Sequence, residues 1–215
     1  MAHSLSVLGV AAVALVVFQP PDDRQASPPQ AAVRTGVLSD PVGDSRASAE
    51  VRTPPDLVMA ELEVRDRALT ITVSFAPRTL SPQTDVRVYL DTDEKPETGE
   101  PIYRGDRQPL GADYVITGVT PHSPSMAALQ HYAAPGRSTF KGAIQVESPT
   151  VDQRRFVLPL SRLGNDDGRL KFKVECNHVL PASVVTTAAG ERVTQRILQY
   201  LDLMPDTGSA AGVVR

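Results

Sequence analysis

The chain has 215 residues, of which 41% are hydrophobic, and this content is sufficient for one folded core and excludes wholesale disorder. Its 22 basic and 25 acidic residues give a formal charge of −3, so the basic excess that holds nucleic acids is missing. The 14 glycines and 19 prolines predict many turns. We therefore expect a turn-rich globular domain that is monomeric and has no nucleic-acid partner.

The chain begins with a segment that has the properties of an export signal. Residues 5–18 form an uncharged apolar run of 14 residues, which matches a signal peptide and is shorter than the roughly 20 residues that cross a bilayer. We assign 1–26 to a signal peptide or N-terminal anchor and 27–36 to a flexible linker, with a buried first element of the fold as the alternative. The expected location is secreted, periplasmic or at the cell surface, with no membrane span beyond this segment.

Alternation of apolar and polar residues recurs along the rest of the chain, and this period is typical of half-buried β-strands. Asp66 and Arg67 separate the first two such segments and predict a tight hairpin turn. One helical turn is predicted at 160–164, where Gly164 would end it. The predicted strands are 56–65, 69–75, 85–91, 112–119, 129–133, 141–147, 154–158, 169–176 and 193–201.

About nine short strands joined by turns predict an all-β fold. We expect an antiparallel two-sheet β-sandwich, of jelly-roll type, over residues 37–208, followed by a flexible C-terminal tail at 209–215. A closed barrel is the structural alternative. Cys176 is the only cysteine and lies in phase with the apolar residues of its segment, so it predicts a buried, unreactive thiol and no intramolecular disulfide.

Aspartates gather where the predicted strands begin and end, and oxygen ligands of this kind are those that Ca²⁺ prefers. The first and last acidic segments predict a shared ion or a hydrogen-bonded clasp, and the loop after the third strand predicts a second acidic site. Capping of turns by aspartate is the alternative for each segment. The candidate ligands are Asp40, Asp44, Asp202 and Asp206 for the clasp, and Asp91, Asp93 and Asp113 for the second site.

These short motifs resemble those of secreted bacterial β-sandwich domains, the DOMON-like and family 9 carbohydrate-binding modules. The resemblance implies an extracellular, non-catalytic sandwich that in some members holds Ca²⁺, a sugar or haem. The motifs that carry it are 40–44 (DPVGD), 55–58 (PDLV), 90–93 (LDTD), 96–99 (PETG), 111–114 (GADY), 163–168 (LGNDDG) and 202–208 (DLMPDTG).

The chain has no tryptophan on which a sugar ring could stack, so its tyrosines are the alternative platforms. Tyr89, Tyr114, Tyr132 and the neighbouring His131 are the candidate ligand-binding residues. We expect an exported, non-catalytic module that is stabilised by Ca²⁺ and binds a carbohydrate or a cell-surface protein. The rival hypothesis is a metal-dependent extracellular hydrolase that uses the same carboxylates, although no catalytic motif is present.

Overall fold

Fifteen β-strands and one short 3-10 helix make up the part of the chain that the computed structural model describes. The described residues are 33–45, 53–102, 109–118, 125–164, 166–179, 183–186, 192–195, 198–204 and 211–215. They belong to one compact unit, Ala31–Arg215. The predicted leader, most of the predicted linker and Asp206 lie outside these residues. Within them, no helix has the length and apolar character needed to cross a membrane.

The strands are β1 (Arg34–Ser39), β2 (Leu57–Arg65), β3 (Ala68–Phe75), β4 (Thr84–Asp91), β5 (Glu100–Ile102), β6 (Leu110–Ala112), β7 (Tyr114–Thr117), β8 (Met126–Ala134), β9 (Arg137–Glu147), β10 (Gln153–Pro159), β11 (Leu170–Val179), β12 (Ser183–Thr186), β13 (Arg192–Gln195), β14 (Leu198–Met204) and β15 (Gly212–Val214). The 3-10 helix is Leu160–Leu163, and Gly164 follows it in the left-handed conformation, as predicted.

All strand pairs are antiparallel, which confirms the predicted all-β class. The main sheet follows the order β1-β2-β3-β10-β9-β8-β7-β4-β11-β14, and β15 pairs with β11. The hairpins β5–β6 and β12–β13 are separate. Hydrogen bonding continues from β1 to β14 and the arrangement is nearly barrel-like, so the main sheet is less clearly divided into two sheets than the predicted sandwich.

The long strand β9 explains this continuity. Its last residues pair with β10, whereas nearly its whole length pairs with β8, so it belongs to both halves of the sheet. The register against β8 shifts between Leu129 and Gln130, opposite Phe140 and Gly142. Gly142 has a φ of +111°, a conformation that favours glycine. A sheet that bends at such a bulge closes around its core without separating into two layers.

The inner face of the sheet holds one apolar core that the alternation predicted well. Phe75, Phe156 and Phe172 are all buried there, and Cys176 is fully buried, as predicted. Burial raises the pKa of the Cys176 thiol well above its usual value, and the nearby Asp202 carboxylate adds to that effect. The thiol is therefore protonated and unreactive at neutral pH.

The first hairpin also agrees with the sequence analysis. Arg65 pairs with Ala68, so Asp66 and Arg67 alone form the connection between β2 and β3. Both have positive φ, 50° and 60°, as the two central residues of a type I′ turn require.

The ends of the domain differ from the prediction. The strand β1 begins at Arg34, inside the predicted linker, and β15 lies inside the predicted tail and pairs with β11. Val214 is fully buried, and a side chain at Gly212 would meet the Phe172 ring at 2.5 Å. The three residues of β15 are too few to show an alternation of apolar and polar positions. The strand is therefore evident only from its pairing with β11.

Two predicted strands are each divided in the structure. The segment 112–119 is split at Asp113 between β6 and β7, and 193–201 is split between β13 and β14. The β5–β6 hairpin has a structural role that alternation did not predict. It packs Ile102 and Leu110 against Tyr89 and Val115, which face away from the main core, and so forms a second apolar cluster.

A substitution in β15 tests whether this strand belongs to the domain. We expect Val214→Asp to lower the free energy of unfolding by about 3–5 kcal/mol, because it places a carboxylate without a partner in the core. The half-buried neighbour gives the control, Val213→Asp, for which we expect a loss of about 1 kcal/mol. Urea unfolding of both variants measures the difference, and equal stability would contradict the packing of β15.

Candidate metal sites

The first acidic cluster lies where β4 ends. Leu90 of β4 pairs with Tyr114 of β7, so the residues that flank this pair, Asp91 and Asp113, stand side by side. One carboxylate oxygen from each of Asp91, Asp93 and Asp113 lies within 4.8 Å of the other two. The structure therefore brings together the three residues that the sequence analysis assigned to the second acidic site.

Hydrogen bonds hold two of these carboxylates in fixed positions. Oδ2 of Asp113 accepts hydrogen bonds from the Thr92 backbone N–H and hydroxyl, both at 2.9 Å, and from the Asp93 N–H at 3.3 Å. Oδ1 of Asp93 accepts from the Lys95 N–H at 3.0 Å and the Thr98 hydroxyl at 2.9 Å. These contacts are turn capping, the alternative role considered for this loop, and they also fix the carboxylates beside Asp91.

Asp91 has a different environment from its two neighbours. Its side chain is buried, with a relative exposure of 1%, and its Oδ1 atom has no hydrogen-bond partner within the described part of the chain. Burial, together with the carboxylates of Asp113 and Asp93, raises the pKa of Asp91 to about 7 against the opposing charge of Lys171. A buried carboxylate oxygen of this kind is stabilised by a partner that supplies positive charge or a hydrogen-bond donor, such as a cation, a proton or a water molecule.

The lysines near the cluster satisfy other groups. Lys95 Nζ is 3.8 Å from Oδ2 of Asp93 on an exposed side chain, and Lys171 Nζ donates to the Glu94 carbonyl at 3.1 Å. Exposed ion pairs of this type contribute little free energy. Neither lysine hydrogen-bonds to Oδ1 of Asp91, so that atom stays available to a ligand.

The second acidic cluster joins the two ends of the domain. One oxygen each from Asp40, Asp44 and Asp202 lies within 4.8 Å of the others, and Asp40 and Asp202 are buried. Oδ2 of Asp202, on β14, also accepts the Leu57 N–H at 2.6 Å. The predicted clasp is therefore assembled for three of its four residues, whereas Asp206 lies outside the described residues.

Asp56 supports this second cluster and was not among the predicted site residues. Its Oδ2 accepts the Gly43 N–H at 2.9 Å, which holds the loop that carries Asp40 and Asp44. Its own N–H donates to the Thr79 hydroxyl at 3.2 Å. The sequence feature that could have identified Asp56 is its position after two prolines at the start of a strand. The same feature is typical of an ordinary turn.

The predicted ligand-binding residues fall into two groups. Tyr114 is buried in the main core and lies against His131, with ring centroids 4.9 Å apart. Tyr89 and Tyr132 instead line one cavity of about 380 Å³ between β4, β5, β7 and β8. Tyr89 is 5% exposed, so it offers little ring surface for stacking.

Polar residues that the sequence analysis missed surround this cavity. The Tyr89 hydroxyl donates to Oε2 of Glu175 at 3.0 Å, and Asn177 donates to Oε1 of the same carboxylate at 2.7 Å. Arg87 lines the cavity, and its Nε donates to Oδ2 of Asp85 at 3.0 Å. Alternation placed these residues on the outer face, where solvent was expected, and gave no sign that the β5–β6 hairpin would cover them.

No family model matches the chain, and no curated protein matches it.

The pKa of Asp91 predicts a pH dependence of stability in the presence of a chelator. Because its folded pKa lies near 7 and its ordinary value is 3.8, the folded state keeps a proton that the unfolded state releases between these limits. The free energy of unfolding should therefore fall as the pH rises through this window. Urea unfolding at about pH 5 and about pH 8 measures the loss.

The matched controls lie in the same loop. Asp91→Asn should remove most of this pH dependence, since the amide does not titrate, whereas Glu97→Gln, at an exposed position, should leave it unchanged. A wild-type protein as stable at the higher pH as at the lower one would contradict the assignment to Asp91.

Proposed function

We propose that the protein is an exported, non-catalytic binding module whose loops hold Ca²⁺, with Asp91, Asp93 and Asp113 as the primary ion site. The observation that carries the proposal is the buried Oδ1 atom of Asp91, which has no hydrogen-bond partner among the described residues and lies beside two other carboxylates. A cation bound there removes both the repulsion between the carboxylates and the cost of the buried oxygen.

The donor set favours a hard cation. All three side chains offer oxygen, and neither cluster contains a histidine or cysteine of the kind that zinc prefers. Calcium binds oxygens at about 2.3–2.6 Å, so ligands on opposite sides of one ion are about 5 Å apart. The oxygens of each cluster lie within 4.8 Å of one another, and this distance is compatible with that spacing. Magnesium requires shorter distances and a regular octahedron, which loop carboxylates satisfy less readily.

The proposed role of the ion is structural. At the primary site it would join the loop after β4 to the junction of β6 and β7, and at the Asp40–Asp44–Asp202 site it would join the first strands to β14. Export supports this role, because extracellular modules bind calcium with dissociation constants of about 10⁻⁴–10⁻³ M. The apolar run at 5–18 supports export.

A metal-dependent hydrolase remains the rival function, since it would use the same carboxylates. Catalytic metals keep an open coordination position for water or substrate. The burial of Asp91 and the capping bonds to Asp93 and Asp113 favour an ion enclosed by the loop over one that faces a substrate. Carbohydrate is the ligand class that the resemblance implies, and a sugar therefore serves as a comparison ligand for the cavity.

Calcium titration tests the ion. We expect Ca²⁺ to raise the melting temperature of chelator-treated protein by about 5–10 °C at saturation, because an ion at a hundredfold excess over its dissociation constant stabilises the folded state by about 2.7 kcal/mol. The double variant Asp91→Asn/Asp93→Asn should lose most of this rise. Isothermal titration calorimetry gives the stoichiometry, with a second ion expected at the Asp40–Asp44–Asp202 cluster.

Two controls separate the proposal from its rival. Glu97→Gln, which removes an exposed acid from the same loop, should keep the full rise in melting temperature. Asp202→Asn should remove one ion from the calorimetric stoichiometry and leave the other. Absence of any calcium-dependent stabilisation would overturn the proposal, and calcium-dependent hydrolysis that disappears with Asp91→Asn would establish the hydrolase in its place.

A further inference from the structure

Two described residues that line the cavity beside Tyr89 carry opposite charges and lie on different strands. Arg87 projects from β4, and Glu100 projects from β5. Neither forms an ion pair with the other within the described residues, although both line the same space of about 380 Å³. That volume is within the range of small-molecule sites, which run from about 300 to 1,000 Å³.

The guanidinium of Arg87 is held in place and keeps donors for a ligand. Its side chain is 27% exposed, and Asp85 accepts its Nε–H at 3.0 Å. Tyr89 lines the same cavity, and its hydroxyl donates to Glu175. A guanidinium has five N–H donors, so the bond from Nε to Asp85 leaves the donors of the terminal nitrogens for other partners. A fixed guanidinium of this type suits a carboxylate, which it binds through two parallel hydrogen bonds.

A second lining residue, Glu100, offers the complementary charge. Oε2 of Glu100 accepts the Gly136 N–H at 2.7 Å, which anchors the carboxylate to the turn between β8 and β9. Its second oxygen has no hydrogen bond to any described residue. Ile102 and Val115 add apolar surface to the lining of the same cavity, as does the half-buried ring of Tyr132.

We propose that this cavity binds a small zwitterion of the α-amino-acid class, with the carboxylate on Arg87, the ammonium group on Glu100 and an apolar side chain against Ile102 and Val115. The inference rests on the proposed function and deepens it, because it assigns a ligand class to the binding module through residues other than those of the ion sites.

Charge balance distinguishes this ligand from the two nearest alternatives. Among the described residues that line the cavity, Arg87 carries a positive charge and Glu100 a negative one, so a simple anion would meet the repulsion of Glu100. A neutral polyol would use both groups as hydrogen-bond partners but would supply no positive charge to the Glu100 carboxylate, whereas Arg87 already pairs with Asp85. A zwitterion supplies that positive charge through its ammonium group and offers a carboxylate to Arg87.

The test compares L-leucine with two derivatives that each lack one charge. The methyl resonances of Ile102 and Val115 report on the cavity in NMR titrations of the full chain. We expect saturable shifts with L-leucine, and binding weaker by about 10- to 100-fold for leucinamide, which lacks the carboxylate, and for N-acetyl-L-leucine, which lacks the ammonium group. Glycine should also bind more weakly, because it lacks the apolar side chain.

Substitutions in the cavity give the second half of the test. Arg87→Gln and Glu100→Gln should each weaken L-leucine binding at least about tenfold. Arg87→Gln also removes the partner of the buried Asp85, and this loss destabilises the fold. If that variant fails to fold, Glu100→Gln still tests the proposal. Arg155→Gln, on the outer face of β10 and away from this cavity, is the matched control and should bind normally.

Three results would overturn the inference. They are the absence of methyl shifts with L-leucine in the millimolar range, equal binding of either derivative, and saturable binding of methyl α-glucoside in place of L-leucine. Calcium-dependent stabilisation is measured by melting and does not depend on these titrations, so failure at the cavity and failure at the ion site are distinguishable.

Discussion

The rest of the structure depends on one constraint: strands β4 and β11 are covered on both faces, so the polar side chains of their outer faces are buried as well. Their inner faces carry apolar side chains such as Val88 and Phe172, which lie in the main core, and their outer faces carry polar ones. Tyr89 and Glu175 on that outer face are nevertheless buried. Burial of polar groups is tolerated only with hydrogen bonds, and the bond between these two side chains across the strands supplies one. The β5–β6 hairpin completes the arrangement by packing its apolar residues over the same face.

The sequence predicts those features that depend on a local period or a local turn. Alternation identifies the strands of the core, and the pair Asp66-Arg67 identifies the first hairpin, because both signals lie within a few residues. The acidic cluster at Asp91 and Asp113 is also predictable in part, since acidic residues stand at strand ends where loops meet. Three other features depend on residues that are distant in the sequence. They are the covering of the outer face of β4, the way in which β9 joins the halves of the sheet, and the pairing of β15. A period of two identifies the two faces of a strand, but it does not show whether water or another hairpin meets the second face.

The two acidic clusters occupy the positions at which cross-links would be most useful to this chain. The only cysteine is buried and forms no disulfide, so covalent closure of long loops is not available. The hydrogen bond from Leu57 to Asp202 closes a separation of 145 residues, and the bond from Thr92 to Asp113 closes one of 21. Contacts that close long loops are costly in entropy when they form alone. On the proposed function, calcium would make both closures stronger, and the stability of the domain would then follow the ion concentration of its compartment.

The proposed ion site and the proposed ligand cavity share one structural element, the β5–β6 hairpin. Gly111 of β6 lies so close to the loop after Asp91 that a Cβ atom there would meet the Lys95 carbonyl, and Glu100 and Ile102 of β5 line the cavity. On the two proposals, an ion that orders the loop would also restrict the hairpin, and a ligand that orders the hairpin would restrict the loop. Binding free energies coupled in this way are reciprocal, so calcium and the ligand would each increase affinity for the other by the same factor. The coupling requires no rearrangement of the main sheet, because the hairpin pairs only with itself and lies outside the continuous ladder.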